Sequence, residues 1–232
     1  RDGLADQLHE RVLVELADAR PGQYVIDYCA GTGGKTMAMA ATMQNHGRLV
    51  AADVSAGRLE RAKQRFRRAG VHNAECRDSG ERKWFKRQAG RADRVLVDAP
   101  CTGIGSWRRI PDARWRLTPN DLPELVQRQK QILEAAGPLV APGGRLIYVT
   151  CSVLPAENAG QVESFLARHP DFAVVPVAAV WRACIGDNCP TDAPFLQLTP
   201  ARHGTGGFFV AILERRSMQA EGSDAERDPA EE

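Results

Sequence analysis

The sequence has no apolar run approaching roughly 18 residues, which excludes a membrane-spanning helix as read from hydropathy. Its opening, Arg1-Asp2-Gly3-Leu4-Ala5-Asp6, has neither a signal-type apolar region nor an initiator methionine. The chain therefore reads as cytoplasmic and as a piece of something longer. Internal repeats are absent. With 232 residues, 43% hydrophobic and 26% charged, fibrous, collagen-like and wholly disordered chains are excluded. A chain of this length buries roughly 70% or more of its unfolded surface, so it needs no covalent staples. Cysteine is sparse: Cys29, Cys76, Cys101, Cys151, Cys184 and Cys189 fall at irregular spacings, and free thiols are expected. Cys184 and Cys189 lack a second ligand pair, so no metal site is expected.

The formal net charge of +2 conceals an asymmetry. The last 19 residues, from Glu214, carry 7 acids and 3 bases, whereas residues 56–116 hold 17 bases against 7 acids. Arg58, Arg61, Lys63, Arg65, Arg67 and Arg68 share one expected helix, and Arg108, Arg109, Arg114 and Arg116 share one loop. Such a block suits a polyanion, although a solvated helix can look the same.

Short apolar runs alternate with amphipathic stretches. Strands are expected at Tyr24–Cys29, Arg48–Asp53, Asn73–Arg77, Asp93–Asp98, Gly144–Cys151 and Gly207–Leu213. Helices are expected at Lys35–Met43, at Gly57–Ala69 after an N-cap at Ser55, at Asn120–Val140, and from Pro155 to His169. This alternation implies an α/β fold with a doubly wound, mostly parallel sheet, whose ligand edge lies at the carboxyl ends of the strands. One domain over residues 1–216 is expected, followed by an acidic, structureless tail over 217–232.

The chemically notable residues all follow strands. After the first comes Cys29-Ala30-Gly31-Thr32-Gly33-Gly34-Lys35-Thr36. A phosphate-binding P-loop needs glycine where Cys29 stands, and a G-x-G-x-x-G dinucleotide turn needs it where Thr36 stands. What remains, Asp27 before a short glycine-rich turn, suits S-adenosylmethionine, whose anionic end is a carboxylate. Asp53 ends the second strand, where a carboxylate can accept from ribose hydroxyls, and Asp78 ends the third within reach of an adenine. Asp98-Ala99-Pro100-Cys101 follows the fourth strand and Thr150-Cys151-Ser152 ends the fifth. Neighbouring strands bring both thiols and a carboxylate to one edge, a pattern that suits nucleophilic chemistry.

These segments resemble the Sun/RsmB-type RNA (cytosine-5) methyltransferases over nearly the whole chain to about Arg215. The resemblance rests on the Cys29–Thr36 turn, on residues 98–105 with Arg108-Arg109 and Pro111-Asp112-Ala113-Arg114-Trp115, on Thr150-Cys151-Ser152 with Glu157-Asn158, and on residues 200–209. Gly31-Thr32 stands where many members have Ala-Pro, and Gly206 where an Asp is usual. Members usually also carry an N-terminal RNA-binding domain, which this chain does not show.

The resemblance implies a Rossmann-like methyltransferase fold with a late antiparallel strand. It also implies transfer of a methyl group from S-adenosylmethionine to carbon 5 of a cytosine in RNA, with ribosomal RNA favoured and transfer RNA the alternative. Cys151 would be the nucleophile, Asp98 would face ring nitrogen 3, and Cys101 would assist product release. Residues 29–35 with Asp53, Asp78 and Asp98 would hold the cofactor, and Lys35 would lie near its carboxylate or the target base. An unperturbed thiol is only about 3% ionised at pH 7, so a lowered Cys151 pKa is expected, with the helix start near Pro155 as its source. Arg108, Arg109, Arg114 and Trp115 would hold phosphates and stack a base, although Trp115 equally suits a cap on the core. A monomer is expected. A non-catalytic RNA-binding or assembly factor on the same fold is the reading from another class, and the intact thiols argue against it.

Overall fold

The computed structural model describes residues 11–108 and 110–217. After a helical stretch over residues 11–17, the elements are β1 (Tyr24–Asp27), α1 (Gly34–Thr42), β2 (Arg48–Asp53), α2 (Ala56–Arg68), β3 (Ala74–Asp78) and α3 (Arg82–Lys86). There follow β4 (Ala92–Asp98), α4 (Asp121–Ala136), β5 (Val140–Thr150), α5 (Ala159–Arg168), β6 (Phe172–Val175), α6 (Val177–Cys184), β7 (Leu196–Leu198), α7 (Pro200–His203) and β8 (Phe208–Arg215). The sheet order is β3-β2-β1-β4-β5-β8-β6, with β7 also paired to β8. β1 to β5 run parallel, whereas β8 is antiparallel to β5, β6 and β7.

Alternation along each strand sorts side chains onto two faces. Ile26, Val95, Val97 and Tyr148 pack on one face with Phe85, Leu133 of α4 and Phe165 of α5. Val25, Leu96, Ile147 and Val149 pack on the other with Leu13, Leu16, Met39 and Val177. Ala51, on that second side, receives Ala62 and Phe66 of α2. Both faces are covered, as a parallel sheet requires. The strand order reverses between β1 and β4, so a crevice opens beyond their carboxyl ends.

Two expected helices are shorter than their sequence pattern. The one placed over Asn120–Val140 ends at Ala136, passes through a tight turn at Gly137–Leu139, and gives Val140 to β5. Pro138 lacks the N–H that would continue the helix, and Gly137 lets the Phe165 ring approach so closely that a Cβ there would stand 2.8 Å from Cζ. The helix expected from Pro155 begins at Ala159, after a 3-10 turn at Pro155–Glu157. The expected N-cap of α2 is present: the Ser55 side chain accepts from the Arg58 N–H. Of the expected acidic tail only Ser217 lies within the described residues.

Candidate active site

The turn between β1 and α1 is fastened from three sides. Ala30 N–H donates to the Ala52 carbonyl at 2.9 Å, and Gly31 N–H to Asp53 Oδ2 at 3.0 Å. Arg65 Nη1 reaches across from α2 to both the carbonyl and the hydroxyl of Thr32, each at 2.9 Å. Gly33 adopts φ 79 against the Phe66 ring, where a Cβ would stand 2.5 Å from Cε1, so only glycine fits both the backbone and the space. By contrast, a Cβ at Gly31 or Gly34 would meet open space, so the turn presents bare backbone to the crevice.

Beneath the turn, Asp27 is fully buried. Its Oδ2 accepts from Thr36 Oγ1 at 2.7 Å, while its Oδ1 has no hydrogen-bond partner. Burial pushes its carboxyl up to about 7. Cys29 is likewise pushed up by burial, so its thiol is a packing group and only its backbone belongs to the turn.

The carboxylates at the strand ends do different jobs. Asp53 is only 5% exposed and also accepts from Ser55 N–H at 2.8 Å, with Arg58 3.6 Å away. The next residue, Val54, is 79% exposed and offers an apolar surface at the same edge. Asp78 is exposed and accepts from Gly80 N–H at 2.7 Å, turning the chain. Asp98 pairs with Lys35 Nζ at 2.6 Å, which links the loop after β4 to the first turn of α1.

The registry of β4 on β5 pairs Asp98 with Val149, and both chains continue past the sheet toward each other. There Cys101 Sγ lies 3.3 Å from Cys151 Sγ. The pair is unequal. Hydrogen bonds donated by Cys101, first, and by Ser106 lower the Cys151 thiol below its ordinary range despite its burial. The Cys101 thiol is raised, chiefly by that same contact with Cys151 and then by burial. The arrangement suits a Cys101 thiol donating to a Cys151 thiolate. The helix start expected near Pro155 is a 3-10 turn over Pro155–Glu157, and α5 begins at Ala159.

A floor of buried polar groups fixes these thiols. The Glu157 carboxylate accepts from Thr102 N–H at 2.8 Å and Gln129 Nε2 at 3.0 Å, and also from the Thr102 hydroxyl. Asn158 accepts from Thr150 Oγ1 at 2.6 Å and donates to the Ser152 carbonyl at 3.1 Å. Gly105 N–H donates to the Cys151 carbonyl at 3.0 Å, and Gly207 N–H to the Gly105 carbonyl at 2.8 Å. A Cβ added to either glycine would stand 2.5 Å from the other's Cα. Ser106 and Gln129 carried no signal in the sequence, Arg65 was visible only within the basic helix, and Thr102 and Gly207 only within motif segments. Glu157-Asn158 was visible only as a motif fragment.

The basic loop stands apart from this floor. Trp115 is 75% exposed, which rules out a cap on the core, and the Arg114 guanidinium lies 4.2 Å from its ring centroid. Ile110 beside it is 56% exposed. Arg108 begins this segment, and Arg109 lies outside the described residues. Among the described residues no group of three or more His, Cys, Asp or Glu is placed to hold a metal ion, and no helix is long and apolar enough to cross a membrane.

A family model described as 16S rRNA methyltransferase RsmB/F matches residues 14–214. The probable ribosomal RNA small subunit methyltransferase B of Synechocystis is 33% identical over 204 residues, 88% of this chain and 45% of its own length. Ribosomal RNA small subunit methyltransferase B of Pectobacterium carotovorum is 38% identical over 198 residues, 84% of this chain and 43% of its own. The crystal structure of NSun6 from Pyrococcus horikoshii with SFG superposes with a TM-score of 0.76 at 26% identity, covering 90% of this chain and 52% of that one. The chain thus spans less than half the length of these curated relatives.

Proposed function

The chain belongs to the RsmB/F family of 16S rRNA methyltransferases, and from that membership we propose that it carries the catalytic chemistry of S-adenosylmethionine-dependent methylation at carbon 5 of a cytosine in ribosomal RNA, through a covalent bond to Cys151. The observation that carries this reading is the unequal thiol pair, 3.3 Å apart, at the edge where the glycine turn and Asp98 also lie.

The residues fit the cofactor. The turn at Gly31 and Gly34 is open to the crevice, Asp53 has lone pairs left for ribose hydroxyls, and Val54 offers an apolar contact for a flat base. Lys35 gives positive charge at the same place. When bound, S-adenosylmethionine supplies an electrophilic methyl group, which carbon 5 accepts once the ring is electron-rich.

Making the ring electron-rich is the task of Cys151. Its thiolate adds to carbon 6, forming a carbon–sulfur bond and shifting the 5,6 double-bond electrons toward carbon 5 and nitrogen 3. Asp98, in its protonated form, donates to the ring's nitrogen 3 as negative charge develops there, while its other oxygen accepts from the amino group, with Lys35 beside it. After methylation, the carbon 5 proton must leave so that the carbon–sulfur bond can break and restore the thiolate. The Cys101 thiol is raised chiefly by its hydrogen bond to Cys151 and then by burial. Once Cys151 is bonded to the ring that hydrogen bond to a thiolate is lost, so Cys101 can release its proton to solvent and then accept the carbon 5 proton as the base. Trp115 and Arg114, exposed on the loop after Cys101, suit a splayed base and the RNA backbone.

The test separates the thiols. Cys151→Ala should abolish methyl transfer and any covalent RNA adduct, with S-adenosylmethionine binding retained. Cys101→Ala should let the adduct form and accumulate as a slow band on a denaturing gel. An adduct from Cys151→Ala and none from Cys101→Ala would exchange the roles; turnover by both variants without adduct would sink covalent catalysis.

A further inference from the structure

We propose that Cys101 and Cys151 are also a site of reversible oxidative modification, at which a hydroperoxide converts the two thiols into an intramolecular disulfide that shuts the active site. Both cysteines are free, and their sulfurs stand 3.3 Å apart. A disulfide of about 2.05 Å needs them to approach by little more than an ångström. Rotation of the two cysteine side chains can supply that movement while the loop backbone stays held by Glu157 and Gln129. A Cβ at Gly103 would lie 3.9 Å from Cys151 Sγ, so nothing is wedged between the loop and the sulfur.

The chemistry balances with the hydroperoxide as the only added reagent. The Cys151 thiolate attacks a peroxide oxygen; the O–O bond breaks, and a sulfenic acid and an alcohol (water, from hydrogen peroxide) form. Cys101 then attacks the sulfenic sulfur, the S–S bond forms, and the departing hydroxide leaves as water with the Cys101 proton. Two thiols have been oxidised and one peroxide reduced. The same arrangement explains selectivity. Cys101 and Ser106 favour the thiolate of Cys151, whereas burial pushes the thiols of Cys29, Cys76 and Cys184 up and leaves them poor nucleophiles.

Loss of turnover on oxidation rests on the proposed function; formation of the cross-link does not. The reduced protein would be treated with equimolar to modest excess hydrogen peroxide, and its intact mass and non-reducing peptide map recorded. The expected product has lost two hydrogens, carries a Cys101–Cys151 linked peptide, and returns to the starting mass with dithiothreitol. In Cys101→Ser the resolving thiol is gone, so Cys151 should instead gain two or three oxygens that dithiothreitol does not remove. Wild-type protein that gains oxygens at Cys151 without a link, or links another cysteine first, overturns the proposal. So does a linked protein that still methylates RNA. A protein that links as expected but shows no methyl transfer even when reduced would leave the modification site standing and count against the proposed function.

Discussion

The loop after β4 is built in two opposite ways along its own length. Residues 99–106 are pinned from every side: Thr102 by Glu157, Pro100 by Gln129, and Gly105 by the backbones of Cys151 and Gly207. Residues 110–116 carry Ile110, Arg114 and Trp115 largely into solvent, and none of the five residues Pro111–Trp115 is buried. The first half holds groups whose reaction depends on tenths of an ångström. The second half has side chains suited to a large ligand that brings its own shape. A few residues of chain thus separate a preorganised site from an adaptable surface.

The contrast can be broken most forcefully at the floor. Gly207→Ala would drive a Cβ to 2.5 Å from Gly105 Cα and from Val153 Cγ1, and the backbone partner cannot swing aside. A loss of about 3 kcal/mol or more is expected, read from denaturant unfolding. Glu157→Ala would orphan the buried Thr102 N–H and remove one of the two bonds of the Gln129 amide, costing about 2–5 kcal/mol. Stability unchanged in both would mean that the floor does not hold the loop.

The cofactor turn allows a comparison by pH. Because burial raises the folded Asp27 carboxyl to about 7, the folded state binds a proton that the unfolded chain has already released near pH 4. The contribution of Asp27 to stability is therefore fully present below about pH 4 and is lost as pH rises through about 7. Asp27→Asn should flatten the decline of Tm across that window. An unaltered Tm–pH curve would mean that Asp27 titrates as an ordinary carboxylate.

A smaller effect is expected within the thiol pair. Cys101→Ala removes the first cause of the lowered Cys151 pKa, so the acid limb of adduct formation should move to higher pH. From a starting value of about 7, a rise of one pKa unit would slow adduct formation at pH 7 by about fivefold. A limb that stays in place would assign the activation of Cys151 to Ser106 instead. Smallest in stability is the outer half of the loop. Trp115→Ala should change unfolding by less than about 0.5 kcal/mol, yet weaken RNA binding by about 1–3 kcal/mol. RNA affinity itself should fall with salt with a log–log slope of about −0.7 per phosphate contacted. A large drop in Tm for Trp115→Ala would place that ring in the fold.

Much of the architecture was legible because its signals are local. Arg48–Asp53 carries a continuous apolar run that ends on a carboxylate, and Ser55 then caps α2, as expected from those residues alone. β6 and β7 escaped notice because four and three residues carry too little pattern. They are strands by virtue of pairing with β8, which sequence periodicity does not report. Val140 looked like the end of a helix because an apolar residue satisfies either period, and its pairing with Ala92 settled the matter.

The amino-acid sequence by itself placed the carboxyl ends of β1 to β5 to within two residues, since apolar runs, glycine turns and caps act over a few residues. That was enough to put Asp98, Cys101 and Cys151 at one edge. The tertiary structure decided what they are to one another. The 3.3 Å approach of the two sulfurs depends on the registry of β4 against β5 and on Gly105 meeting Gly207. Which thiol keeps its proton depends on desolvation and on which donors point inward, properties of the surroundings rather than of a cysteine. The exposure of Trp115 and the grip of Arg65 on Thr32 were settled in the same way, because burial and long-range hydrogen bonds exist only once distant segments have packed.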